Sequence, residues 1–204
     1  LELAAIPARA DKRGEGDPII IAGGPCASNP EPMAPFFDLV VVGDGEEAIA
    51  EIMSETARGK RQGAPRREIV DRLARIAGVY SPNLRDRVTR RVVADLDSAQ
   101  YPRRFVVPFL EAVHDRVALE VMRGCSRGCR FCQAGFTYRP VRERAPGTLL
   151  KQAREIIAST GYDELSLVSL NCPDYTGDGG LSVVVPATRE KSLLPATNSH
   201  EGDA

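Results

Sequence analysis

The chain has 204 residues, with 27 Lys+Arg against 28 Asp+Glu and a formal net charge of −1 at pH 7. This length suits one or two domains, and the charge balance excludes a strongly basic nucleic-acid clamp or an acidic tail as the governing theme. Hydrophobic residues at 43% suit a packed core, and no run of about 18 apolar residues offers a membrane span. The charged N-terminus lacks the order of a secretory signal, so a cytoplasmic setting is expected.

In chain order, Pro18–Ala22 is a short apolar run that ends in Gly23-Gly24-Pro25, the pattern of a buried parallel strand and its turn. Glu31–Phe37 predicts a short helix, limited by Pro32 and Pro35. Asp38–Val42 predicts a second strand, ending in Gly43-Asp44-Gly45-Glu46-Glu47. A helix is expected from Glu46 to about Arg58, with Ile49, Ile52 and Met53 at helical spacing and acidic residues at its start, where the helix dipole favours them. Arg66–Ala77 carries Ile69, Val70, Leu73 and Ile76 on one helical face. Gly78–Asp115, broken by Pro82, Pro102 and Pro108, predicts an irregular bridge with a strand-like Arg91–Val93. Ala118–Met122 is apolar apart from Glu120 and leads into a cysteine-rich loop. Gly147–Tyr162 predicts an amphipathic helix stopped by Gly161, and Leu165–Leu170 predicts a strand. From Tyr175 onward the βα alternation ceases, and an irregular tail is expected.

These elements give an α/β chain with four parts: an α/β domain over 1–62, a bridging helix and linker over 63–116, a βα core over 117–174 and a tail over 175–204. The first residue is Leu1 and the opening falls inside a βα unit, so the chain reads as a fragment with an open, incomplete sheet.

Five cysteines occur: Cys26, Cys125, Cys129, Cys132 and Cys172. An odd count without a secretory signal fits a reducing compartment better than a disulfide scaffold. Cys125, Cys129 and Cys132 lie in Cys125-Ser-Arg-Gly-Cys129-Arg-Phe-Cys132, a Cys-x3-Cys-x2-Cys spacing that lets three thiols converge on one metal centre. Closed zinc sites and many iron–sulfur clusters take four protein ligands. Three thiolates on a [4Fe–4S] cube leave one iron open. The alternatives from the residues alone are a zinc knuckle completed by His114, Cys172 or a partner, and a non-catalytic iron–sulfur module. Arg123, Arg127, Arg130, Arg139, Arg142 and Arg144 surround the loop, where cations stabilise bound thiolates. A solvated basic loop is the bland reading of the same residues.

The three cysteines, with Phe131 before the last and with Met122-Arg123-Gly124 and Gln133-Ala134-Gly135 beside them, resemble the signature of the radical S-adenosylmethionine (SAM) superfamily. The resemblance implies a [4Fe–4S] cluster on Cys125, Cys129 and Cys132, with SAM on the open iron and Phe131 at the cofactor. It implies reductive cleavage of SAM to a 5′-deoxyadenosyl radical, an electron donor such as flavodoxin or ferredoxin, and a partial (βα) barrel. Asn171 and Asp174, after the Leu165–Leu170 strand, stand where the superfamily often holds the SAM amino group, although the usual Gly-Gly-Glu form is missing. The substrate and the residues that act on it are unknown from sequence.

The N-terminal turns at Gly23, Gly24, Gly43 and Gly45 resemble the second half of a Rossmann-like cobalamin-binding (B12) domain, where such glycines border the cofactor's nucleotide tail. The whole resembles an uncharacterised family of B12-binding-domain-containing radical SAM proteins. Cobalamin is therefore a further cofactor expected of the complete protein, with a B12-dependent radical methyltransferase as an alternative function. The Asp-x-His-x-x-Gly motif that ligates cobalt is absent, and His114 and His200 lie in the wrong context for it. The 204-residue chain alone is expected to bind a cluster at best, with weak SAM affinity and no turnover.

Overall fold

The apolar runs predicted at 18–22 and 38–42 form two short parallel strands, β1 (Ile21–Ala22) and β2 (Leu39–Val41), in register Ile21 to Leu39 and Ala22 to Val40. This comes from a computed structural model that describes residues 1–82, 84, 87–110 and 116–177. The chain divides into two compact units, Leu1–Ala94 and Asp95–Ala204.

In the first unit the chain between the strands winds through the 3₁₀ turns Pro25–Ser28 and Glu31–Phe36, as the prolines there dictate. Helix α1 (Glu46–Arg61) and helix α2 (Arg66–Leu73) follow β2. Alternate residues of β2 and the Val42 that follows it feed two cores: Leu39 and Val41 pack with Ala48, Ile52, Ile69, Leu73 and Val79, while Val40 and Val42 pack with Ala27, Ala34 and Tyr80. Burial of both faces explains the unbroken apolar run. The inward face of α1 is Ala48, Ile52 and Gly59; Ile49 and Met53, predicted on the apolar stripe, are exposed. A Cβ on Gly59 would stand 2.7 Å from Ile69 Cγ1, so small residues let α2 close onto this face.

A third strand, β3 (Val79–Tyr80), pairs antiparallel with β2, making a mixed sheet in the order β1-β2-β3. The stretch predicted as a bridge over 63–116 is thus divided. Its α2, β3 and the return past Arg91 pack into the first unit, because Ile69, Leu73 and Val79 complete that core. Arg91 makes a single parallel bridge to Gly43 in place of the predicted strand.

A buried ionic cluster ties the start of the chain to this unit. The Asp38 carboxylate accepts hydrogen bonds from Arg13 (3.0 Å), Arg66 (2.8 Å) and the Ile20 N–H (2.7 Å). The Arg13 side chain is fully buried and also donates to the carbonyls of Pro7, Ala8 and Phe36. Two guanidinium groups share the one carboxylate, and backbone carbonyls take the remaining Arg13 donors, so the buried groups are hydrogen-bonded.

In the second unit, β4 (Val117–Glu120) pairs in parallel with β7 (Leu165–Val168). Strand β5 (Met122–Arg123) pairs antiparallel with β6 (Arg142–Glu143). A short helix α3 (Ala134–Thr137) lies between them, and helix α4 (Pro146–Thr160) precedes β7. Leu149, Ala153, Ile156 and Ile157 of α4 pack on Val117, Leu119, Val121 and Met122, and the helix stops at Gly161 as predicted. Tyr175, placed at the start of the irregular tail by sequence, is buried in this core. The tail expected beyond Gly177, with His114 and His200, lies outside the described residues. Among the described residues, no helix is long and apolar enough to cross a membrane.

Candidate metal centre

The β5–β6 pair closes the base of an eighteen-residue loop, 124–141, in register Met122 to Glu143 and Arg123 to Arg142. Gly124 opens the loop at φ 89°. A Cβ there would stand 2.7 Å from the Pro140 carbonyl oxygen and 2.9 Å from that of Tyr138, so the outgoing limb lies directly on the returning one. Only glycine combines that backbone angle with that approach. Arg142, buried, fastens the return limb by donating to the Pro140 and Tyr138 carbonyls.

The three motif cysteines share this loop as free thiols, with Cys125 and Cys132 half-buried and Cys129 exposed. A turn joins the last two, the Cys132 N–H donating to the Cys129 carbonyl at 3.0 Å. Among the described residues, no three His, Cys, Asp or Glu side chains converge to hold a metal. The chemistry of the donors nonetheless fits a three-thiolate site. Soft thiols select iron–sulfur or zinc centres, and the nearby carboxylates are already committed. Glu120 accepts from Arg123 (2.7 and 3.0 Å) and from Arg144 (3.2 Å), and Asp174 accepts from Arg127. Cys172 is half-buried against the core of the second unit. Its thiol donates to the Leu167 carbonyl and accepts from the Ser169 hydroxyl at 3.2 Å.

The arginines around the loop mostly serve its architecture. Arg123 and Arg144 hold Glu120, Arg142 holds the loop carbonyls, and Arg139 stacks over the Phe136 ring at 4.8 Å from its centre. Arg130 is exposed. Arg127, between the first two cysteines, donates through Nε to Asp174 at 2.7 Å and through its second nitrogen to the other carboxylate oxygen. Hydrogen bonding and charge from Asp174 raise the Arg127 pKa, and the Cys125 and Cys129 thiols add in the same direction.

Phe131 is 93% exposed, its ring free of the core. Asn171 is half-buried after β7, with its backbone N–H on the Ser169 hydroxyl. The structure therefore brings Asp174 to the cysteine loop, but through Arg127. Sequence reasoning missed Glu120, Tyr175 and Thr176 as supports of this loop. Glu120, the one charge in an apolar strand, was the available signal.

The four glycines singled out in the first unit differ in what they face. Gly24 has φ 96° and open space, Gly45 begins α1 with open space, and Gly23 makes ordinary contact with Val41. Gly43 has φ 111°, and a Cβ there would stand 2.1 Å from the Arg91 carbonyl oxygen. Its bare Cα is occupied by the chain's own backbone.

Residues 1–82, through α2 and β3, match the family model described as "Radical SAM proteins, N-terminal". An uncharacterized protein of Methanocaldococcus jannaschii is 30% identical over 166 residues, covering 80% of this chain and 34% of that protein. The ribosomal protein uS12 methylthiotransferase of Roseiflexus castenholzii is 33% identical over 105 residues, covering 52% of this chain and 20% of that protein. A tRNA-2-methylthio-N(6)-dimethylallyladenosine synthase of Staphylococcus epidermidis is 31% identical over 72 residues, covering 35% of this chain and 14% of that protein. The chain thus spans about a third or less of the length of these relatives.

Proposed function

We propose that the protein is a radical SAM enzyme in which Cys125, Cys129 and Cys132 hold a [4Fe–4S] cluster and SAM takes the open iron. The observation that carries this reading is the loop itself: three free thiols at Cys-x3-Cys-x2-Cys spacing, with the nearby Glu120, Asp174 and Cys172 already bonded within the chain. The match of residues 1–82 supports it from a separate part of the sequence. A cluster so held, once reduced by an external one-electron donor, would supply reductive cleavage of SAM.

The chain's own residues do the preparatory work. Gly124 and Arg142 keep the two limbs of the loop in contact. Arg127, between Cys125 and Cys129 in sequence, is held by Asp174. The exposed face of Phe131 leaves a flat apolar surface beside Cys132, suited to stacking a cofactor ring. An electron donor of the flavodoxin or ferredoxin class is the partner this chemistry needs. The first unit is a Rossmann-like element accompanying a (βα) core.

Anaerobic reconstitution tests the reading. It should yield about four irons per chain, and SAM should alter the EPR spectrum of the reduced cluster. One zinc per chain, with no effect of SAM, would replace it with a non-catalytic metal module.

A further inference from the structure

The outgoing limb of the cysteine loop and the strand that closes its base are held by three consecutive residues beyond β7. On the outgoing limb, Arg127 grips the Asp174 carboxylate with two donors. Just after β6, the buried Tyr175 hydroxyl donates to the Arg144 carbonyl at 2.7 Å. The next residue, Thr176, donates its N–H to the Glu143 carboxylate at 2.9 Å, and its hydroxyl reaches the same group at 3.1 Å. The Arg127 side chain is itself exposed, as are Cys129 and Phe131. The loop tip has little core of its own to set its position.

We propose that Asp174-Tyr175-Thr176 is a clasp that positions the cysteine loop, with Asp174 acting through Arg127 as a positioning residue. Asp174 thereby joins the cysteine motif without serving as a ligand for SAM. The two contacts divide the task. Tyr175 and Thr176 fix the base at β6, the Tyr175 bond being buried and the Thr176 bonds exposed. The Arg127–Asp174 pair fixes the outgoing limb, where its planar two-point geometry sets direction although solvent screens its energy. The inference rests on the reading of this loop as the metal site, but the clasp is built into the metal-free chain and can be measured there.

The test is the rate of chymotryptic cleavage after the exposed Phe131 in the metal-free 204-residue chain, followed by mass spectrometry of the fragments. Asp174→Asn should raise it by about fivefold, the scale an exposed ion pair supports. Arg127→Gln should do the same, and the double variant should be no faster than either. Asp174→Glu, which keeps the carboxylate, should restore slow cleavage, and thermal unfolding of all four should match wild type. After reconstitution, Asp174→Asn should take up iron fully yet lose it faster to a chelator. Cleavage of Asp174→Asn at the wild-type rate would overturn the clasp, even if the wild-type chain binds iron. Faster cleavage in a chain that binds no iron would uphold the clasp and reject the metal reading.

Discussion

Replacing Gly43 with Ala separates a glycine kept for a cofactor from one kept for the fold. The new Cβ would lie 2.1 Å from the Arg91 carbonyl oxygen and 2.7 Å from its nitrogen, at φ 111°. The backbone angle alone costs an L-residue about 1–2 kcal/mol. Relieving the overlap means moving the Arg91 backbone away. That breaks the Arg91 N–H bond to the Val42 carbonyl (2.9 Å) and the Asp44 N–H bond to the Arg91 carbonyl (3.0 Å). At about 1 kcal/mol each, these bring the total to about 3–4 kcal/mol, a large share of the 5–15 kcal/mol typical of a domain. Gly45→Ala is the control: φ is −95° and nothing lies within 4 Å of the added Cβ, so its effect should stay within about 1 kcal/mol. The assay is urea unfolding followed by circular dichroism, comparing midpoints and slopes of the two variants with wild type. A Gly43→Ala chain within about 1 kcal/mol of wild type would refute the reasoning and return Gly43 to the list of ligand-facing glycines.

Further outcomes follow from other parts of the molecule. Cys129→Ala should abolish iron retention after reconstitution, whereas Cys26→Ala and Cys172→Ala should keep wild-type stoichiometry in an iron assay. Asp38→Ala strands the buried Arg13 guanidinium and should cost about 3–5 kcal/mol in denaturant unfolding; a loss below about 1 kcal/mol, the scale of a surface pair, would contradict the buried network. The Tyr101 hydroxyl is held above its ordinary pKa, first by burial and then by its 2.7 Å bond to Glu155. Since the folded pKa is the higher one, this contribution is complete below the unfolded value of about 10 and disappears as pH rises through the folded value. Tyr101→Phe should therefore show a smaller alkaline loss of melting temperature than wild type. The reconstituted cluster, with one iron lacking a protein thiolate, should bleach in air; stability for days would indicate a closed four-ligand site.

What the sequence made legible was whatever depends on near neighbours. The Cys-x3-Cys-x2-Cys motif, the α4 stripe from Leu149 to Ile157 and its stop at Gly161 all lie within a few turns of chain. The parallel strands around Ile21 and Val40 followed from their apolar runs. Residues whose partners are distant in sequence were misread. Gly43 owes its identity to Arg91, and Tyr175 owes its burial to Arg144 and the α4 core. On α1, counting large apolar residues favoured Ile49 and Met53, but the approach of Ile69 selects the face of Ala48 and Gly59. Strand β3 has only two residues, too short for any periodicity to mark it.

The central claim is that three thiolates leave one iron of the cluster to SAM. The most direct measurement is electron–nuclear double resonance on the reduced, reconstituted chain, with saturating SAM carrying ¹⁷O in its carboxylate or ¹⁵N in its amino group. Hyperfine coupling from both labels is expected in wild type and none in Cys129→Ala. A full cluster in wild type with no coupling from either label would contradict it.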